Sequence, residues 1–163
     1  MITTKKRGVK TPEMIESDIV YGFNKIMAKK APVYHITLTN LNITNPAELR
    51  FQLTNKLFNK ISTFYKYSYF SLNYLFVIEY PEKVSRGNMM VDNCEVHTHI
   101  VLETDLPIEN IRYFIEMAFS STNKKWIDIE RIDKRNDKFN FSTYLTKQIK
   151  LFTDDNYNYK ILN

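Results

Sequence analysis

His97 and His99 stand two residues apart in Cys94-Glu-Val-His-Thr-His-Ile-Val-Leu-Glu, a stretch whose alternation and β-branched content predict a strand. Successive side chains of a strand leave opposite faces, so the two imidazoles share a face, about 6 to 7 Å apart along it, and can converge on one metal ion. The plainer alternative is a pair of exposed sheet histidines. Upstream, the apolar run Leu75-Phe-Val-Ile is followed by Glu79, and a carboxylate in such company needs a partner. If the two stretches pair across the polar segment 81–92, Glu79 reaches the histidines. Two imidazoles and one carboxylate with open positions suit an octahedral Mg²⁺ or Mn²⁺ better than a closed structural zinc site, which normally uses thiolates.

Nearer the end of the chain, Phe141-Ser-Thr-Tyr-Leu-Thr-Lys-Gln places Tyr144, Lys147 and Gln148 at i, i+3 and i+4, hence on one face of an expected helix. A tyrosine can act as an oxygen nucleophile on phosphorus, and a neighbouring ammonium lowers the cost of its phenolate. In a chain with 11 tyrosines, a tyrosine that merely packs its helix onto a sheet is the structural alternative. Lys124, Lys125, Arg131, Lys134, Arg135 and Lys138 precede this helix and could contact a phosphate backbone; a solvated charged face is the other reading.

These groups need a scaffold, and periodicity supplies one. Met14, Ile15, Ile19, Phe23, Ile26 and Met27 predict a helix over 12–29, with Thr11 as its cap and Pro12 in its first turn. A strand follows at 33–39. Leu49, Leu53, Leu57, Ile61 and Tyr65 fall four apart on a second helix that opens at Asn45-Pro46. Strands at 71–80, 94–102 and 126–132 and helices at 107–119 and 139–151 complete the order αβαββαβα. Two strands in succession without an intervening helix imply an antiparallel pair, and the whole implies an α+β fold: a central, largely antiparallel β-sheet with flanking helices, the first helix being an extra N-terminal appendage.

The chain has 163 residues, 44% of them hydrophobic, which is enough for one core and argues against disorder and against a multidomain machine. Residues 1–11, with Lys5, Lys6, Arg7 and Lys10, read as a basic flexible arm, and 12–163 as a single domain. A net charge of +5 permits a polyanionic partner without requiring one. Cys94 is the single cysteine, so no intramolecular disulfide can form, and no apolar run approaches the roughly 20 residues needed to span a bilayer. A soluble protein of the reducing cytoplasm, without a membrane partner, is expected.

Taken together, the blocks resemble the HUH endonuclease superfamily, named for His-hydrophobic-His, and most of all the single-tyrosine Rep initiator nucleases of rolling-circle plasmids, phages and small circular DNA viruses. Tyr34-His-Ile-Thr-Leu-Thr-Asn is similar to the first Rep motif, His97-Thr-His99 to the HUH motif, Tyr144-Leu-Thr-Lys147 to the YxxK motif, and Phe76-Val-Ile-Glu79-Tyr to the strand that carries the acidic ligand. The resemblance implies an HUH/Rep-like sheet related to the RRM fold, a divalent metal held by His97, His99 and Glu79, and Tyr144 as nucleophile assisted by Lys147. It implies nicking and joining of single-stranded DNA at a replication origin through a 5′-phosphotyrosine. Thr98 departs from the preferred bulky hydrophobic residue, and the 81–92 loop is long. Gln148 makes a Tyr-x-x-x-Gln pattern like that of small single-tyrosine transposases, which leaves it as the alternative third ligand. His35 is an outside candidate. A transposase of that type is accordingly one rival, and a non-catalytic nucleic-acid-binding module on a ferredoxin-like sheet is another. No Walker phosphate loop occurs in the sequence, so a helicase would come from the host or from a fused segment outside this chain.

Overall fold

A computed structural model describes residues 9–85, 87, 94–120, 126–135 and 138–162. Thr11 caps the first helix, α1 (Pro12–Met27), its hydroxyl accepting from Met14 N at 3.3 Å. β1 (Val33–Leu38) follows, then one long helical stretch made of α2 (Pro46–Phe51), a π-helical segment (Gln52–Phe58) and α3 (Asn59–Phe64). The π segment has a cause in the sequence. Residues spaced four apart drift by about 40° per step around a 3.6-residue turn, and wider turns bring them back into line. Leu49, Leu53, Leu57 and Ile61 are all buried as a result.

β2 (Leu72–Glu79), a short α4 (Glu82–Ser85), β3 (His97–Thr104), α5 (Ile108–Ala118), β4 (Ile127–Arg131) and α6 (Lys138–Leu145) come next, followed by 3₁₀ turns at Ile149–Leu151 and Asp154–Asn156 and a last strand, β5 (Tyr157–Lys160). The fold is α+β, with a five-stranded antiparallel sheet in the order β4-β1-β3-β2-β5. β5 is absent from the sequence-based order. Its four residues, Tyr-Asn-Tyr-Lys, carry two poor strand formers, and only pairing with β2 makes them a strand.

Both faces of the sheet are covered, which explains why all eight residues of β2 are buried and why its centre, Leu75-Phe-Val-Ile, reads as a continuous apolar run. One face packs Ile36, Leu38, Tyr74, Phe76, Ile78, Ile100 and Leu102 against α2, α3 and α5. The other packs Val33, Leu75, Val77 and Val101 against α1, Leu145 of α6 and Phe152. Thus α1 is no appendage: Ile15, Ile19, Phe23 and Ile26 are each fully buried, and they form a large part of the second core. Its start is fixed as well, because Lys10 reaches Asp18 at 3.0 Å and the Tyr157 hydroxyl at 2.8 Å. Lys10 is therefore anchored, while Lys5, Lys6 and Arg7 of the expected arm lie outside the described residues. Among the described residues no helix is long and apolar enough to cross a membrane.

Candidate metal and tyrosine site

The antiparallel register of β2 and β3 sets Glu79 directly opposite His97, with His99 opposite Val77 one step further in. All three side chains therefore leave the face that carries α1 and α6. His97 Nε2 lies 3.2 Å and His99 Nε2 3.1 Å from Glu79 Oε1. Around an ion with nitrogen and oxygen ligands at about 2.1 Å, neighbouring ligand atoms of an octahedron stand about 3.0 Å apart. The two histidine–carboxylate distances come close to that spacing, the ligand atoms of the cluster all lie within 4.8 Å of one another, and Glu79 Oε2 is buried without a hydrogen-bond partner. An ammonium completes the group: Lys147 Nζ lies 3.3 Å from Glu79 Oε1. The residues fit a divalent cation.

Electrostatics keep the carboxylate charged. Burial alone would push Glu79 up, but hydrogen bonds from His97 and His99, helped by the charges of His99 and Lys147, outweigh it and hold the carboxyl down at about 2. Its side chain is inaccessible to solvent, whereas that of His97 is partly open. A cavity of about 410 Å³ lined by Glu79, Tyr80, Glu82, His97, Lys147 and Gln148 adjoins the cluster.

α6 brings the tyrosine. Phe141 stacks on Phe23 of α1 with ring centroids 5.8 Å apart, and Leu145 is fully buried, so α6 lies fixed across α1. Tyr144, itself 39% exposed, is thereby aimed at the cluster, with its Oη 3.4 Å from His99 Nε2. The Lys147 ammonium sits over the tyrosine ring, 4.1 Å from the centroid.

Lys147 and Gln148 do not share a helix face with Tyr144 as their spacing predicts. The helix ends at Leu145, where the Thr146 hydroxyl donates back to the carbonyls of Ser142 at 3.0 Å and Thr143 at 3.3 Å and the chain tightens into 3₁₀ turns. Gln148 is turned onto the backbone of Tyr80: its Oε1 accepts from Tyr80 N and its Nε2 donates to Tyr80 O, both at 2.9 Å. Its amide is engaged at both ends as a splice between α6 and the end of β2, and the acidic member of the cluster is Glu79. Thr98, on the opposite face, is fully buried with its hydroxyl donating to Val77 O at 2.8 Å. That bond is why a threonine is tolerated where a hydrophobic residue is expected.

No family model, no curated protein and no solved structure matches the chain. What the site does has to be read from its own chemistry.

The basic candidates divide. Arg131 and Arg135 are exposed. Lys134 is half-buried and donates to the carbonyls of Lys29 at 2.5 Å and Ala31 at 2.9 Å, so it ties down the turn after α1 and is not a free cation. Lys124, Lys125 and the side chain of Lys138 lie outside the described residues.

Two residues of β1 join the centre of the site, His35, an outside candidate by sequence, and Thr37, which sequence reasoning missed. His35 Nε2 lies 3.0 Å from His99 Nδ1, and Thr37 Oγ1 lies 3.3 Å from each of these nitrogens. Burial and the charges of His99 and Lys147 push His35 down to about 4, against the pull of Asp128 and Glu79. A signal exists in the sequence, because His35 and Thr37 stand at the same two-residue spacing as His97 and His99. That β1 lies beside β3 has no such signal.

Proposed function

We propose that the chain is an HUH-type endonuclease that nicks and rejoins single-stranded DNA through Tyr144, in the manner of a rolling-circle replication initiator. The observation that supports this reading best is the meeting at Glu79 Oε1 of His97, His99 and Lys147, with the Tyr144 hydroxyl beside His99. His97, His99 and Glu79 would hold a divalent cation such as Mg²⁺ or Mn²⁺. Bound there, the ion supplies Lewis-acid polarisation of a phosphate oxygen.

Tyr144 is the nucleophile of the reading. Its hydroxyl gives up its proton to water and its oxygen forms a bond to phosphorus while the bond to the 3′ oxygen breaks, leaving a 5′-phosphotyrosine and a 3′-hydroxyl that takes its proton from water. Rejoining runs the same step backwards. Lys147, over the ring, stabilises the phenolate and the added negative charge, a contribution of roughly a few kcal/mol at most. Gln148 holds α6 against the end of β2 and so fixes the distance between nucleophile and ligands. Because Gln148 is engaged in this way while Glu79 joins the imidazoles, the arrangement is closer to that of an initiator than to the Tyr-x-x-x-Gln transposase pattern.

The test incubates the full chain with Mn²⁺ and a pool of labelled single-stranded oligonucleotides and looks on a denaturing gel for a covalent protein–DNA adduct. An adduct is expected for the wild type and none for Tyr144→Phe, with DNA binding retained. Nicking by Tyr144→Phe that releases free 5′-phosphate would mean that water attacks, and binding without any cleavage would favour a non-catalytic module.

A further inference from the structure

A histidine that ligates a metal through Nε2 must carry its ring proton on Nδ1, and a buried N–H needs an acceptor. Around His99 Nδ1 the described residues offer two: His35 Nε2 at 3.0 Å and Thr37 Oγ1 at 3.3 Å. They are there because of register. Thr37 pairs with His99 across β1 and β3, and His35, two residues earlier, projects from the same face. His35 stands outside the Glu79–His97–His99 cluster. Packing also fixes its ring, which stacks on His99 at 5.2 Å and meets the edges of Phe141 at 4.7 Å and Tyr144 at 6.1 Å.

Without metal, the proton must sit on the other nitrogen. His99 Nε2 faces Glu79 Oε1, which can only accept, so Nε2 donates, and an unprotonated Nδ1 accepts from His35 Nε2 or from the Thr37 hydroxyl. Metal loading exchanges these roles: Nδ1–H becomes the donor and His35 Nε2 the acceptor. A neutral imidazole makes that exchange by changing tautomer, and the threonine hydroxyl makes it by rotating. An apolar side chain of the same size could do neither.

We propose that His35, backed by Thr37, is a positioning residue that accepts the ring proton on His99 Nδ1 when Nε2 is the ligating atom, and thereby makes His99 competent to hold a divalent metal. The inference rests on the metal reading of the cluster given above. It accounts for a third histidine, packed beside the two of the cluster.

Calorimetric titration of the full chain with Mn²⁺ tests it in three proteins: wild type, His35→Gln and His35→Phe. The glutamine places an amide oxygen near the position of Nε2 and should keep Mn²⁺ affinity within about threefold of wild type. The phenylalanine keeps the ring packing but offers no acceptor of its own, leaving His99 Nδ1 only the longer contact to Thr37 Oγ1, and should bind about 10- to 100-fold more weakly, the usual effect of losing a ligand's outer partner. Equal affinity of His35→Phe and wild type would overturn the proposal, and so would a His35→Gln protein as weak as His35→Phe, which would point to ring packing alone. Should His35→Phe fail to fold, long-range ¹H–¹⁵N imidazole spectra of the wild type decide: His99 should move from the Nε2–H to the Nδ1–H tautomer on adding diamagnetic Zn²⁺, and an unchanged tautomer with Zn²⁺ bound would overturn the relay. A wild type that binds neither Mn²⁺ nor Zn²⁺ would instead remove the metal reading, and the inference with it.

Discussion

Glu79 Oε1 gathers two imidazole nitrogens and an ammonium within 3.3 Å, on a side chain that solvent does not reach. A buried carboxylate is costly unless paired, so the residues around it are there to hold a charge. Glu79 and Gln148 line the same cavity yet differ in what they do. Glu79→Gln should abolish Mn²⁺ binding in calorimetry, because the substituted amide presents a weaker donor to any ion. Gln148→Ala should leave Mn²⁺ affinity much closer to wild type but lower stability by about 1–3 kcal/mol, since it strips Tyr80 N and O of their partners in a buried setting. Urea denaturation read alongside the titration separates the two. A Gln148→Ala protein of wild-type stability that no longer binds Mn²⁺ would make Gln148 the ligand.

At the scale of elements, α1 and α6 matter most, because together they form the platform under the tyrosine. Phe23 is fully buried and stacks on Phe141, three residues before Tyr144. Phe23→Ala should cost about 3–5 kcal/mol of stability in urea unfolding. An α1 that merely hung from the domain would lose far less. The N-terminal end of α1 adds a pH dependence. Burial would raise the Asp18 carboxyl, but hydrogen bonds from the Tyr157 hydroxyl and Lys10, with the Lys10 charge, leave it below the usual carboxylate value. A carboxyl depressed by folding contributes stability that is fully present above its unfolded value, about 3.9, and is lost as pH falls through the folded value. Asp18→Asn should therefore be less stable than wild type at neutral pH, with the difference shrinking as the pH drops below about 4. Thermal unfolding midpoints from pH 7 down to 2 check this, and a difference that stays constant with pH would assign the effect to packing.

For the molecule as a whole, the net charge of +5 says little until the cations are placed. Arg131 and Arg135 are exposed at and just beyond the end of the edge strand β4, whereas Lys134 between them is bound to backbone carbonyls. Replacing both arginines by alanine should weaken single-stranded DNA binding and reduce the slope of log affinity against log salt by about 0.7 for each phosphate that is no longer neutralised. Lys134→Ala should instead lower stability, since it leaves the carbonyls of Lys29 and Ala31 without their cation, with little change in that slope. Fluorescence anisotropy at several salt concentrations measures both. A Lys134→Ala slope change as large as that of the arginines would return Lys134 to the DNA-binding set.

Side-chain period and chain connectivity, both local properties, were enough to fix most of the elements and to favour the strand pair on which the site is built. Residues 71–80 and 94–102, with no helix pattern between them, favoured an antiparallel pair, and the two-residue period put His97 and His99 on a common face, while the register that sets Glu79 opposite His97 came only with the assembled sheet. Other features arise only when the elements assemble. That β1 lies on the far side of β3 is a choice of strand order, invisible to any local period, and it alone brings His35 and Thr37 to His99. That α1 is core and not appendage depends on the second face of the sheet needing a cover, which the burial of all eight residues of β2 reveals once the strands are assembled. The places of Lys147 and Gln148 depend on where α6 stops. The helical pattern runs on past Leu145; there the Thr146 hydroxyl turns back locally onto Ser142 and Thr143, while the Gln148 amide is taken by the backbone of Tyr80, a partner that no local pattern encodes.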